Sequence, residues 1–356
     1  ATQLTVFAHP LLEKNDSGAA SPTSNYSTAP PPSTIFYSVD NTFDRSELVH
    51  ERDEISIISG ANVVEVSGKM SIDKILEILG SRGCKNVTDK LDPSSESFGP
   101  VGGFGELYRM NICDDMGTRC VCVKCLKPLI PPGTLLKRAT HELYVWSRCN
   151  HPNVLELIGV AQYREQIAMV SPWMENGDIV TFLSQNHSTP VNRCLMCFQL
   201  ADAVAYLHSQ GVVHADIKGA NILVSRDNKP KLADFGSATL KEYTIIFSSM
   251  VNEISVTLRW MAPEIFIHKA GHSVETDIYA LGMTILEIIT GELPYGEISN
   301  LDVLACLVNK VAPERPTKQI PFGSGKGDTL WSMLLKCWGP APEDRPPAAE
   351  IRDTKE

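Results

Sequence analysis

The pattern of apolar and polar positions changes character along the chain. Ile72, Ile75, Leu76 and Leu79 fall on one face at helical spacing, and Ser71 stands where an N-cap would. A short helix is therefore predicted over 71–79, with Lys74 rather than Glu at the capping-box position. Ahead of it, Val63-Val64-Glu65-Val66 reads as a short strand. From about Leu91 short β-rich runs follow one another: 106–110, 119–125, 157–161 and 166–171. One helical stretch, roughly 135–149, interrupts them. Beyond Asp178 the pattern is mainly helical, with apolar residues at 3.6 spacing in 194–209 and 276–290. A small β lobe followed by a larger helical lobe predicts an α+β, bilobal arrangement. No internal repeat is visible.

Composition adds boundaries. The first 48 of the 356 residues hold 18 Ser, Thr or Pro and show no sustained period, so 1–48 is expected to be disordered. Residues 49–92 read as a short extension, partly helical, that docks on the domain after it. A formal net charge of −10 argues against non-specific nucleic-acid binding. No run of 18 uncharged apolar residues exists, so no membrane-spanning helix is expected. The start, Ala-Thr-Gln-Leu-Thr, has no basic n-region and no initiator Met, so no secretory signal is visible and the N-terminus reads as processed or incomplete. The ten cysteines are scattered. Cys194 and Cys197 form a C-x-x-C without a second pair at zinc spacing, and are expected as small buried residues on a helix. Reduced thiols point to the cytoplasm or nucleus.

The candidate chemistry lies in four places. Gly99-Pro100-Val101-Gly102-Gly103-Phe104-Gly105 opens the β lobe, and glycines let backbone N–H groups approach phosphate oxygens. Alone this is a weak signal that a hairpin turn also explains. Next comes the strand-like Val121-Cys122-Val123-Lys124, then Glu142 on the predicted helix, able to reach back to the lysine. The strongest segment is His214-Ala215-Asp216-Ile217-Lys218-Gly219-Ala220-Asn221, a polar loop framed by apolar runs. Thirteen residues after Asn221 stands Asp234-Phe235-Gly236. Two oxygen donors, Asn221 and Asp234, suit a hard cation bridging substrate phosphates.

Over about 93–352 the chain resembles a eukaryotic protein kinase domain. The order is that of the kinase signatures: glycine-rich loop, Val-Cys-Val-Lys, His-Ala-Asp, Asp-Phe-Gly and Ala262-Pro263-Glu264. Thr257-Leu258-Arg259-Trp260-Met261, Asp277-Ile278-Tyr279-Ala280-Leu281-Gly282, Cys337-Trp338 and Asp344-Arg345-Pro346 resemble the tyrosine-kinase-like group of serine/threonine kinases. The resemblance implies a bilobal kinase fold and use of ATP with Mg²⁺, or Mn²⁺ in its place. It implies a protein substrate and phosphorylation in signal transduction. It assigns Lys124 to the α/β-phosphates, Glu142 to orienting Lys124, Asp216 to accepting the substrate hydroxyl proton, Lys218 to the transferred phosphoryl group, and Asn221 and Asp234 to the metal. The nucleotide would lie among Gly102, Gly103, Phe104, Gly105, Leu107, Cys122, Ser171, Trp173, Met174 and Leu223, with Ser171 a small gatekeeper. Glu264 is expected to pair with Arg345, and Asp277 to anchor the catalytic loop. Lys218 and Thr257 favour Ser/Thr as acceptor, with dual specificity left open.

Three departures matter. Pro100 replaces the opening glycine of the loop, and Cys122 takes a position usually held by a smaller residue. Ala215 stands where an Arg commonly precedes the catalytic Asp, the Arg that grips a phosphorylated activation loop. A nucleotide-binding scaffold without phosphoryl transfer, and a small-molecule kinase, stay open as other readings. The sequence implies no oligomeric state.

Overall fold

The computed structural model describes residues 54–354 apart from 60–61, 68–69, 82, 99–104, 116, 127–131, 187–190 and 241–256. The disordered segment expected over 1–48 lies outside the described residues. A hairpin of β1 (Glu54–Ser59) and β2 (Asn62–Ser67) comes first, then α1 (Ile72–Gly80). Ser71 caps α1 as its sequence predicts, its hydroxyl accepting from the Lys74 N–H, and Ile75, Leu76 and Leu79 are buried. The extension therefore packs rather than trailing.

A five-stranded antiparallel sheet comes next: β3 (Leu91–Phe98), β4 (Gly105–Asp114), β5 (Gly117–Leu126), β6 (Gly159–Tyr163) and β7 (Gln166–Pro172), in spatial order β3-β4-β5-β7-β6. Between β5 and β6 runs α2 (Pro132–Trp146). Strand alternation sorts the residues by face. Tyr108, Met110, Val121, Val123 and Cys125 form one apolar core with Ile158 and Val170. The opposite face carries Leu107, Cys122 and Lys124, with Ser171 paired to Cys122 and Met169 to Lys124.

The remaining chain is mainly helical: α3 (Ile179–Gln185), α4 (Arg193–Ser209), α5 (Pro263–Ile267), α6 (Val274–Thr290), α7 (Asn300–Val308), α8 (Gly325–Cys337) and α9 (Ala348–Arg352). Short strands β8 (Val212–Val213), β9 (Ile222–Val224), β10 (Pro230–Leu232) and β11 (Thr239–Leu240) pair as β8–β11 and β9–β10. The fold is α+β and bilobal. Helix α6 is its axis: Ser273 closes a capping box with Thr276, and the helix is buried from Thr276 to Ile288. No helix among the described residues is long and apolar enough to cross a membrane.

Several boundaries differ from the sequence pattern. The helix expected over 135–149 runs from Pro132 to Trp146 and ends in tight turns, with the Cys149 N–H donating to the Trp146 carbonyl. The strand expected over 157–161 begins at Gly159, because Leu155 is first drawn to β10, its N–H donating to the Leu232 carbonyl. Strand β3 has no alternating pattern. Asp92 turns its carboxylate onto the Ser94 N–H, and the register breaks between Asp92 and Ser97. Of the C-x-x-C pair, Cys197 is buried but Cys194 is exposed. The expectation of two buried thiols is corrected: Cys194 falls beside, not within, the stripe of Met196, Leu200, Ala203, Val204 and Leu207. All ten cysteines are free thiols.

Candidate active site

Strand β5 aims Lys124 off the sheet toward α2, the helix that carries Glu142. The ammonium bonds Glu142 Oε1 at 2.7 Å and Asp234 Oδ1 at 2.7 Å. Glu142 is buried and Lys124 nearly so. Burial works against the lysine's charge, but the fields and hydrogen bonds of Asp234 and Glu142 outweigh it and hold Lys124 above the ordinary lysine range. Burial pushes the Glu142 carboxyl up, and Lys124 offsets only part of that. Burial also opposes the charge of Asp234, yet Lys124 carries its carboxyl below the usual carboxylate range. One ammonium thus faces two carboxylates, leaving a local excess of negative charge.

Asp234 is held by its backbone. It sits at φ 68°, ψ 80°, a left-handed conformation costly for a residue with a Cβ. Phe235 after it is fully buried, stacked on Trp146 of α2 at 5.9 Å and edge-on to His214 at 5.2 Å. That wedge fixes which way Asp234 turns. The β9–β10 hairpin brings Asn221 to the same end, since the Ala233 N–H donates to the Asn221 carbonyl at 2.9 Å.

The second cluster is the loop from His214 to Asn221. Lys218 Nζ bonds both carboxylate oxygens of Asp216, at 2.9 and 2.8 Å. Asn221 Nδ2 donates to the Asp216 carbonyl and to its Oδ2 at 2.8 and 2.7 Å. Thr257 Oγ1 lies 3.3 Å from Lys218 Nζ and 3.4 Å from Asp216 Oδ1. Ala215 is left-handed, at φ 66°. The strain is held by buried Asp277 of α6, whose carboxylate accepts the His214 and Ala215 N–H groups, both at 2.8 Å, and faces His208 Nε2 at 3.0 Å. Farther off, Arg345 grips Glu264 through two guanidinium nitrogens at 2.7 and 2.8 Å.

The donor set fits a hard cation. Asn221 spends its amide nitrogen on Asp216, and Lys124 takes Oδ1 of Asp234, so these residues offer oxygens in an environment of surplus negative charge. Among the described residues no group of three His, Cys, Asp or Glu is placed to hold a metal ion by itself.

Of the residues expected around a nucleotide, several share one face of the sheet. Leu107 is paired to Lys124 and Ser171 to Cys122 in the sheet, and Trp173 and Met174 follow β7. Trp173 lies beneath the Arg109 guanidinium at 5.3 Å. Leu223 lies in β9 and forms an antiparallel bridge with Asp178. Burial pushes the Cys122 thiol up to about 11, which disfavours its thiolate at neutral pH. Gly105 opens β4, whereas Gly102, Gly103 and Phe104 lie outside the described residues. One residue escaped sequence reasoning. Glu287 in α6 is buried, and its Oε2 accepts from the Gly219 N–H at 2.9 Å and Trp260 Nε1 at 3.0 Å. The available signal was a lone carboxylate inside Ile285-Leu286-Glu287-Ile288-Ile289.

Comparison with known proteins agrees with this geometry. A family model described as protein tyrosine and serine/threonine kinase matches residues 97–354. The serine/threonine-protein kinase STY17 of Arabidopsis thaliana is 30% identical over 253 residues, 70% of this chain and 42% of that protein. Cell division control protein 7 of Schizosaccharomyces pombe is 32% identical over 250 residues, 68% and 22% of the two chains. The tyrosine-protein kinase SRK3 of Spongilla lacustris is 31% identical over 265 residues, 72% and 73%. The match thus spans less than half the length of the first two relatives.

Proposed function

The chain belongs to the protein tyrosine and serine/threonine kinase family, and on that premise we propose that it transfers the γ-phosphate of ATP to a Ser or Thr hydroxyl of a protein. The observation that carries this reading is the bonded set of Asp216, Lys218, Asn221 and Thr257 beside the Lys124–Glu142–Asp234 cluster. Asp216 orients the acceptor hydroxyl and takes its proton. Lys218, already against Asp216, neutralises charge growing on the phosphoryl oxygens. Lys124 holds the α/β-phosphates, and Glu142 keeps it aimed. Asn221 and Asp234 would hold Mg²⁺, which supplies further neutralisation of phosphate charge when bound. The work is positioning and electrostatic stabilisation, not covalent chemistry.

Ser or Thr is favoured as acceptor by Lys218 and by Thr257 beside it. Tyrosine is the second reading, favoured by the name of the sponge relative, a tyrosine-protein kinase. The chain is further proposed to act without phosphate on its activation segment, because Ala215 offers no guanidinium to bind it.

The test is transfer from labelled MgATP by wild type and Asp216→Asn, with the modified residues mapped. Label on Ser or Thr should fall by about a hundredfold or more in the variant. Label on tyrosine alone would replace the acceptor reading. Equal labelling by both proteins would overturn the role of Asp216.

A further inference from the structure

We propose that α1 and the segment after it form a built-in brace that seats α2, and so keeps Glu142 within reach of Lys124. Helix α1 has nine residues, too few for much stability of its own in water. What orders it is one apolar face. Ile75, Leu76 and Leu79 enter the same core as Ala139, Leu143, Tyr144 and Trp146 of α2, and α1 lies against both α2 and β6.

The chain beyond α1 is then tied down by directed bonds. The Val160 N–H donates to the Lys85 carbonyl and the Val87 N–H to the Val160 carbonyl, both at 2.8 Å. The Gln162 N–H donates to Thr88 Oγ1 at 2.9 Å. These bonds form a parallel bridge between Asn86 and Val160. Strand β6 ends the sheet, so the bridge covers an edge that would otherwise present unpaired backbone. Gly159 is shaped to this approach: a Cβ there would lie 2.3 Å from the Lys85 carbonyl oxygen. Cys84, at the start of the segment, is buried in the same core as α1 and α2.

Helix α2 also meets the catalytic elements. Besides the Glu142–Lys124 bond, His141 Nε2 lies 2.9 Å from the Ala238 carbonyl, and Trp146 stacks on Phe235. A helix seated between a brace and a catalytic cluster passes a loss on one side to the other. Ile75, Leu79 and Gly159 are thus positioning residues, acting through α2. Their effect on turnover rests on the phosphotransferase reading; the seating of α2 does not.

The experiment uses the whole chain with Leu79→Ala, Gly159→Ala, the conservative Leu79→Met and the exposed-face control Glu77→Ala. Each is measured for kcat, for KM of ATP and for amide hydrogen exchange in 139–146 and in α6. Leu79→Ala and Gly159→Ala should each lower kcat about tenfold. Both should speed exchange in 139–146 and leave α6 unchanged, with Leu79→Met restoring most of the rate and Glu77→Ala behaving as wild type. Equal acceleration in α6 would mean general destabilisation and overturn the brace, as would kcat within about twofold of wild type. If wild type transfers no phosphate, the phosphotransferase reading fails, and the exchange data still decide. Unchanged exchange in 139–146 overturns the brace, and selective acceleration there supports it.

Discussion

Glu287 is a carboxyl group kept in the core by two donors that share one oxygen. Burial pushes it up to about 7, and the Gly219 and Trp260 hydrogen bonds recover only part of that. In the unfolded chain the same group loses its proton near 4.5. Between those values the folded state binds more protons than the unfolded one, so stability falls as pH rises through that window. The penalty is absent below the lower value and complete above the upper, on the order of 3 kcal/mol. Gln keeps an acceptor oxygen and never ionises. Glu287→Gln should therefore exceed wild type in Tm by a margin that grows from about pH 5 to pH 8; a margin independent of pH would refute the assignment. At this scale the chain was legible where chemistry is contiguous. Asp216, Lys218 and Asn221 share one loop and Asp234 comes soon after, so order and spacing expose them. Glu287 contacts that loop from far along the chain, and an acid in an apolar helix resembles any other glutamate until its partners are known.

Among the elements, α6 and α8 show how closely two helices approach when a glycine lies between them. A Cβ on Gly282 would fall 2.7 Å from Cys337 Cβ and 2.8 Å from Trp338 Nε1. Alanine at an exposed helix interior would gain about 1 kcal/mol over glycine. Here it must push α8 away, and overpacking of a filled core costs about 1–3 kcal/mol. The second term should win. Gly282→Ala is expected to lower the denaturation midpoint with an unchanged m-value, and a raised midpoint would show that α8 yields freely. The sequence announces α4, α6, β4 and β5 because their apolar periods are long or strictly alternating. It conceals β3, whose polar residues bond to their own backbone, and it sets the end of α2 too late because the closing turns carry no glycine. The brace helix was visible as an amphipathic stripe with a capping serine. Its seat was not, since that depends on a strand edge and Gly159.

For the molecule as a whole the question is what fixes the activation segment when no arginine precedes Asp216. Its two ends are held by contacts that involve no phosphate. At the near end Thr239 and Leu240 pair with β8, and the Ala238 carbonyl meets His141. At the far end Thr257 bonds Lys218, and Glu264 is locked to buried Arg345. The catalytic loop draws its shape from Asp277 beneath it. The cavity beside Ala215, lined also by Thr257, Met261, His272 and Thr276, measures about 30 Å³. Ser237 and Thr239 stand on either side of Ala238 at the near end; Thr244, Ser248, Ser249 and Ser255 lie outside the described residues. Replacing all six with Ala should leave kcat within about threefold of wild type, because the contacts that fix both described ends of the segment are made by unmodified side chains and backbone. A fall of about a hundredfold, restored by phosphorylating a single retained hydroxyl, would mean that another cation does the work of the missing arginine. The ends of the segment would then be fixed only after modification, and the assembled site would be the phosphorylated form's geometry reached without it.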